Sequence, residues 1–503
     1  MGSDGSAAAL SVSIASMQRV VIIGGGFGGL AAACLLGRAG YQVTVLEKNE
    51  QLGGRIGQRK AKGFTFDTGP SWYLMPDVFE HFFELLGEQP ADYFILKKLS
   101  PSYRVTFRGS GEQLDITGNL ELDAATFDHL EPGAGQQLRR YLAQAARTYH
   151  LATDRFLYKN YSSARDLLVP ELLRTALKPS FSGSLHRYVG HFFKDERLQK
   201  LVEYPMVFLG ATPYRAPALY SLMSHLDHTQ GVFYPQGGMY GLVEALVAIG
   251  KKYGVSYRTS SAASQIIVQN GAATGVAVHG KTLPADLVIS NADRHFSETV
   301  LLQPHERDHT PRYWRSRTVA PSALLMYLGV GRRYPNLAHH NLLLGGNWRQ
   351  NFAELYKHDS FPASPSLYVC APSKTDASVA PKGCENLFVL VPVSAGLRYS
   401  PAELTAFARR VLSTVETELH LPGLQKQLRY QELFCVDDFA RRFNSFQGSG
   451  LGLAHTLRQT ALLRPRNFSK KVRGLYYVGA DTQPGIGLPM ALISAELLAK
   501  RLT

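Results

Sequence analysis

The chain has 503 residues, 45% of them hydrophobic and 19% charged, which excludes a disordered polymer and predicts more than one buried core. Its formal charge is +14, from 54 Lys and Arg against 40 Asp and Glu. No recognition motif or basic–aromatic platform accompanies that excess, so we expect no nucleic acid, and an acidic substrate or an anionic membrane surface fits better.

Residues 1–18 are small and polar, lack a signal-peptide plan and read as a flexible tail. Arg19-Val20-Val21-Ile22-Ile23 is an apolar strand that runs into Gly24-Gly25-Gly26-Phe27-Gly28-Gly29 and then a helix former, Ala31-Ala32-Ala33-Cys34-Leu35-Leu36. Gly24, Gly26 and Gly29 spell G-x-G-x-x-G, the turn that brings a dinucleotide diphosphate to a helix N-terminus; Phe27 and Gly28 complete the loop. A second strand, Gln42–Leu46, ends in Glu47, placed to bind a ribose hydroxyl. Lys48 follows it, and Gly53-Gly54-Arg55 extends the fingerprint beyond what a nicotinamide fold needs, with Arg55 able to reach the diphosphate. Gly63-Phe64-Thr65-Phe66-Asp67-Thr68-Gly69-Pro70 is a short strand and tight turn.

From residue 76 to 228 we expect a mostly helical insertion. Val78–Leu86 is amphipathic, and Leu185–Lys194 mixes bulky apolar residues with Arg187 and Lys194, as a packed helix or a membrane-interface segment would. The chain then returns to the nucleotide unit through Phe233–Leu242. Ser264–Gln269 turns at Asn270-Gly271, a strong hairpin signal, into Gly275–His279, and Ala285–Ser290 ends at Asn291. Between 301 and 440 strand candidates (323–330, 366–370, 386–391) precede a helix from Pro401 with Leu404, Phe407, Val411, Leu412 and Val415 at helical spacing. The last motif, Val478-Gly479-Ala480-Asp481-Thr482-Gln483-Pro484-Gly485-Ile486-Gly487-Leu488-Pro489-Met490, is a second glycine turn entering a helix. Cys34, Cys370, Cys384 and Cys435 form no C-x-x-C pair, so we expect no disulfide framework and no metal site; adjacent residues such as His339-His340 rarely supply two ligands.

E-x-N-x-x-x-G-G-R followed by G-F-x-x-D-x-G-P resembles the flavin amine oxidase superfamily. Together with V-G-A-D-T-Q-P-G-I-G-L-P near the C-terminus and Tyr234-Pro235-Gln236-Gly237-Gly238-Met239, it is most similar to the bacterial and fungal phytoene (carotenoid) desaturases. The likeness spans nearly the whole chain after residue 18. It implies an α/β fold: a Rossmann-like FAD-binding domain of the amine oxidase/GDP-dissociation-inhibitor type, with a mixed-sheet substrate domain and a helical membrane-associating insertion. The FAD domain is expected from 19–75, 229–300 and 441–503, and the substrate domain from 301–440. FAD contacts are expected from Gly24, Gly26, Phe27, Gly28, Gly29, Glu47, Lys48, Gly54, Arg55, Gly69, Pro70, Asn291, Gly479 and Gly485. The resemblance adds a main-chain amide of Ile266 or Ile267 for adenine, Asp481 for the ribityl chain or diphosphate, and the Leu488-Pro489-Met490 backbone for the flavin ring. It implies dehydrogenation of a linear carotenoid, with quinone or oxygen as electron acceptor, in a cytoplasmic protein bound peripherally to membrane. Asp166 falls where an acid is suspected of proton transfer, although Val169 replaces the basic residue expected one turn later. Many relatives have His where Gln483 stands and a small residue at Asp481. A cis–trans isomerase, retinol saturase, carotenoid oxygenase or ketolase on the same fold, and a prenyl-lipid carrier without flavin, are the alternatives. Oligomeric state is left open.

Overall fold

The computed structural model describes residues 18–161, 183–356, 359–460 and 463–503. Strand β1 (Arg19–Ile23) leads through the glycines into helix α1 (Phe27–Arg38) and back to strand β2 (Gln42–Leu46). The two strands pair in parallel, from Arg19 opposite Gln42 to Ile23 opposite Leu46. Three distant segments complete a five-stranded parallel sheet in the order 475–477, 287–290, β1, β2, 256–258. A parallel sheet must be covered on both faces. Helices α1, Gly241–Lys252 and Leu488–Leu502 cover one. A three-stranded antiparallel meander (263–269, 272–278, 281–284) covers the other, packing Ile266 and Val276 on Val21 and Val288. Its first hairpin turns at Asn270 and Gly271, both at positive φ (52° and 71°), as a two-residue turn between twisted strands requires.

A seven-stranded mixed sheet forms the second body, in the order 428–434, 322–330, 385–393, 367–370, 340–344, 103–107, 113–116. Ser322–Val330 is buried throughout and divides its side chains by parity. Leu324, Met326 and Leu328 face helix Pro401–Glu418, which buries Phe407, Val411, Leu412 and Val415 against them. That helix begins in a capping box, Ser400 Oγ accepting from Glu403 N while the Glu403 carboxylate accepts from Ser400 N (2.7 Å). Ala323, Leu325 and Tyr327 face the opposite way, into the aromatic core shared with the insertion.

The insertion departs from the expected helical run. Tyr103–Phe107 and Gln113–Ile116 are strands, and the first pairs in parallel with His340–Leu344. Its alternation of apolar Tyr103, Val105 and Phe107 with Arg104 and Thr106 is a period of two. Helix Pro76–Leu85 buries Val78, Phe79, Phe82 and Phe83. Only Leu185–Val189 of the next segment is helical, and Leu185, Val189 and Phe193 lie in the protein core against Phe127 and Tyr141, while Arg187 and Lys194 stay exposed. Asp166 lies outside the described residues. Among the described residues no helix is long and apolar enough to cross a membrane.

The two bodies are joined at the Gly63–Pro70 motif. The Asp67 carboxylate accepts from the amides of Met239 (2.9 Å) and Tyr240 (3.2 Å), and Asp376 accepts from Gly237 (2.6 Å). Two acids from different parts of the chain thus clamp one turn. Loss of solvation raises Asp67 to about 7, opposed by its two amide bonds and reinforced by the charge of Asp376. A carboxyl raised from 3.8 to about 7 holds more protons in the folded state over that interval. Its contribution to stability is full below about pH 4 and lost as pH rises through about 7. The Asp67→Asn variant, which cannot ionise, is expected to show a shallower fall of Tm across this window in calorimetry. Parallel profiles for variant and wild type would show that Asp67 does not titrate there.

Candidate active site

A single cavity of about 960 Å³ runs from the glycine turns of the parallel sheet to the inner face of the mixed sheet. Of the residues expected to contact a dinucleotide, Gly24, Gly26, Phe27, Gly28, Glu47, Lys48, Gly54, Arg55, Gly69, Pro70, Asn291, Gly479, Asp481, Leu488, Pro489 and Met490 line it.

Gly29 and Gly485 do not line it; they shape it. Gly29 is where α1 crosses β1: a Cβ there would lie 2.4 Å from Gly24 O, so any side chain would lift the helix off the sheet. At Gly485 a Cβ would lie 2.3 Å from the His455 ring, whose Nε2 accepts from Ile486 N (3.1 Å) and fixes the closing turn.

Ile266 and Ile267 are corrected. The Ile266 amide donates to Leu301 O (2.9 Å), and Ile267 pairs with Gly275, so both lie within the meander. Ser261, Ala262 and Ala263, where the chain enters that strand, reach the cavity instead, with Ser261 N donating to Glu47 O (2.7 Å).

Glu47 is buried at the end of β2, accepting from Gly25 N (2.9 Å) and Asn49 N (2.8 Å), which holds its carboxylate beside the glycine loop. Arg55 donates to Ser445 Oγ (3.1 Å) and stacks over Phe443, while its buried Nε has no partner among the described residues. An unpartnered guanidinium nitrogen beside glycine backbones is what a diphosphate would complete. These residues therefore fit a flavin dinucleotide. Lys48 instead turns to Arg441 O (2.7 Å) and Asn444 Oδ1 (2.6 Å), and burial lowers its pKa, with Glu47 pulling the other way.

Near the closing turn Asp481 accepts from Leu453 N (3.0 Å). Burial and the nearby Asp481 charge raise Asp293 to about 7, while it accepts from Phe296 N (3.0 Å) and Phe446 N (2.9 Å). Arg464, to which the sequence alone assigns no role, is fully enclosed. It donates to the carbonyls of Thr482, Leu453 and Ala480 (3.2, 3.0 and 2.5 Å), tying the turn from inside.

Away from the glycines the wall is aromatic and aliphatic, with Tyr204, Phe208, Trp348, Phe352 and Phe439 prominent. Trp72 stacks flat on His340, with ring centres 4.3 Å apart and planes 7° apart. The adjacent pair His339-His340 is buried together with Cys370, their nitrogen and sulfur atoms within 4.8 Å of one another. The structure thus groups side chains whose spacing in the sequence gave no reason to link them. Burial lowers His339 to about 3 and holds His340 well below the ordinary imidazole range, so both rings are neutral near pH 7.

The family model described as flavin containing amine oxidoreductase matches residues 27–503. A carotenoid 3,4-desaturase from Haloarcula japonica is 44% identical over 488 residues, covering 97% of this chain and 98% of the relative. A zeta-carotene-forming phytoene desaturase from Myxococcus xanthus is 36% identical over 500 residues, covering 96% of this chain and 94% of that one. Among solved structures, an oxidoreductase from Methanosarcina mazei shares the fold with a TM-score of 0.62 at 17% identity, covering 96% of this chain and 100% of its own. The chain belongs to the flavin-containing amine oxidoreductase family, in its branch of carotenoid desaturases.

Proposed function

We propose that the protein is an FAD-dependent desaturase of linear carotenoids. One observation carries this reading: a diphosphate-ready glycine end and a long aromatic end open into the same cavity. A polyene offers no polar handle, so it must be held by shape and dispersion along its length. Names of relatives 44% and 36% identical support the substrate class.

Bound FAD supplies a two-electron acceptor that can take a hydride from an allylic carbon. The protein's own work is positional. The glycine turn before α1 and Arg55 hold the diphosphate, and Glu47 holds the ribose. The backbone at Leu488–Met490 begins a second helix, whose N-terminal N–H groups would favour negative charge developing on the flavin ring. The aromatic walls align the substrate and exclude water. We assign electron transfer onward to quinone or oxygen. Peripheral contact with an anionic membrane is supported by the +14 charge and by the lipid-soluble substrate class.

Expression in cells that accumulate phytoene is expected to give coloured products of longer conjugation, each step removing two hydrogens by mass. Products that gain oxygen, or unchanged conjugation with altered geometry, would replace this reading by an oxygenase or an isomerase. Arg55→Ala, which removes a charge-assisted contact of roughly 1.5–3 kcal/mol, is expected to weaken FAD binding about 10- to 100-fold in equilibrium dialysis. Unaltered affinity would place the diphosphate elsewhere. In flotation assays the protein is expected to rise with vesicles containing anionic lipid at low salt and to be released at high salt. Binding that ignores both lipid charge and salt would exclude the electrostatic contact.

A further inference from the structure

The desaturation proposed above removes a hydride from one carbon and a proton from its neighbour, and a path for that proton is built into the cavity wall. Ser71 follows the Gly69-Pro70 turn and lines the cavity, as does Tyr368 on the mixed sheet. Ser71 Oγ lies 2.8 Å from the Tyr368 hydroxyl, and that hydroxyl lies 2.7 Å from His340 Nδ1. The chain Ser71–Tyr368–His340 therefore runs from the cavity into a fully buried imidazole.

The relay requires one polarity, which these distances allow. A neutral histidine whose Nδ1 accepts from Tyr368 carries its proton on Nε2. Tyr368 then donates to His340 and accepts from Ser71, which leaves oxygen lone pairs of Ser71 free toward the cavity. His340 Nε2 has no hydrogen-bond partner among the described residues, and His339 and Cys370 are its buried polar neighbours. Trp72 lies flat against the same imidazole at 4.3 Å, a face that stabilises a cation. Burial keeps His340 uncharged at rest, with His339 adding to the effect. Such a weak base suffices, because a carbon next to an allylic cation gives up its proton readily.

The geometry points to Ser71, Tyr368 and His340 as the proton relay of the desaturation step. When hydride leaves one carbon, the C–H electron pair on its neighbour becomes the new π bond. The freed proton binds Ser71 Oγ, the Ser71 hydroxyl proton passes to Tyr368, and the Tyr368 proton passes to His340 Nδ1. One C=C bond forms, two electrons leave with the hydride, and one proton rests on the imidazole until it returns by the same chain to the cavity. Tyr368 and Ser71 are the groups facing substrate; His340 acts through them.

The test uses the full-length FAD-loaded enzyme with a linear carotenoid in detergent or vesicles. Tyr368→Phe removes the middle hydroxyl and keeps the ring against Trp72 and Phe388. It is expected to lower kcat about 10- to 100-fold, below the upper range of general-base effects because little basicity is demanded. KM and FAD content are expected to stay within twofold, and the wild-type slowing in D2O is expected to vanish. Unchanged kcat with the D2O effect retained would overturn the relay alone. Wild-type enzyme that desaturates no linear carotenoid would overturn it together with the proposed function. Should Tyr368→Phe not fold, Ser71→Ala carries the same expectations. A readout independent of turnover is the nitrogen NMR of labelled histidine, with His340 assigned by its loss in His340→Gln. The relay requires the Nε2–H tautomer, with an Nδ1 signal that moves in Tyr368→Phe; an Nδ1–H tautomer would overturn it.

Discussion

Two glycine-rich turns from opposite ends of the chain close on one side chain, that of Asn291. A Cβ would lie 2.7 Å from its Oδ1 at Gly26 and 3.1 Å from its side chain at Gly28 and at Gly29. At Gly479, in the closing motif, it would lie 2.5 Å from Nδ2. Asn291 is held from both sides, its N–H donating to Ile23 O (2.8 Å) and its Nδ2 to Val478 O (3.0 Å). A side chain at any of these glycines would force a shift in a packed junction, at a typical cost of about 1–3 kcal/mol. The consequence reaches the chemistry. With the turns drawn together, the N-termini of α1 and of Leu488–Leu502 open into the same cavity, where their partial positive charges would act on one anionic ligand.

Much of this junction was legible in the sequence because it depends on local backbone rules. G-x-G-x-x-G between a strand and a helix and Asn270-Gly271 between two alternating runs each state their geometry within a few residues. What failed was non-local. The resemblance puts an adenine-side amide at Ile266 or Ile267, but the cavity meets the chain earlier, at Ser261–Ala263. Tyr103–Phe107 carried a strand pattern, yet its aromatic helical surroundings masked it, and its partner, His340–Leu344, lies far along the chain. His339 and His340 were unreadable for a similar reason. Their neighbours Thr375 and Tyr368 (both at 2.7 Å) come from other segments of the sheet region.

The cavity divides its electrostatics between its ends. At the glycine end the acids and the arginine are each tied to backbone: Glu47 accepts from Gly25 N, Asp481 accepts from Leu453 N, and Arg464 donates to Thr482 O and Ala480 O of the closing turn and to Leu453 O. Among the described residues Arg464 has no carboxylate within hydrogen-bonding reach, so its buried charge is solvated by peptide dipoles, with Asp481 nearby opposing the effect of burial. Such fixed dipoles cost no reorganisation when negative charge develops on a bound cofactor.

At the apolar end the same burial has the opposite use. Tyr204 and Tyr368 on this wall are pushed up, and His339 and His340 buried behind it are pushed down, so these four side chains bring polar atoms without charge. A permanently charged group there would draw water into a space shaped for hydrocarbon and would have no counter-ion along a polyene. A wholly apolar wall would leave a departing proton nowhere to go. Hydroxyls and neutral imidazoles satisfy both constraints: dry at rest, and basic enough for the moment at which the substrate is most acidic. The placement of Trp72 over His340 joins the two demands in one contact, since the indole buries the ring and also offers its face to the charge that the ring would briefly hold.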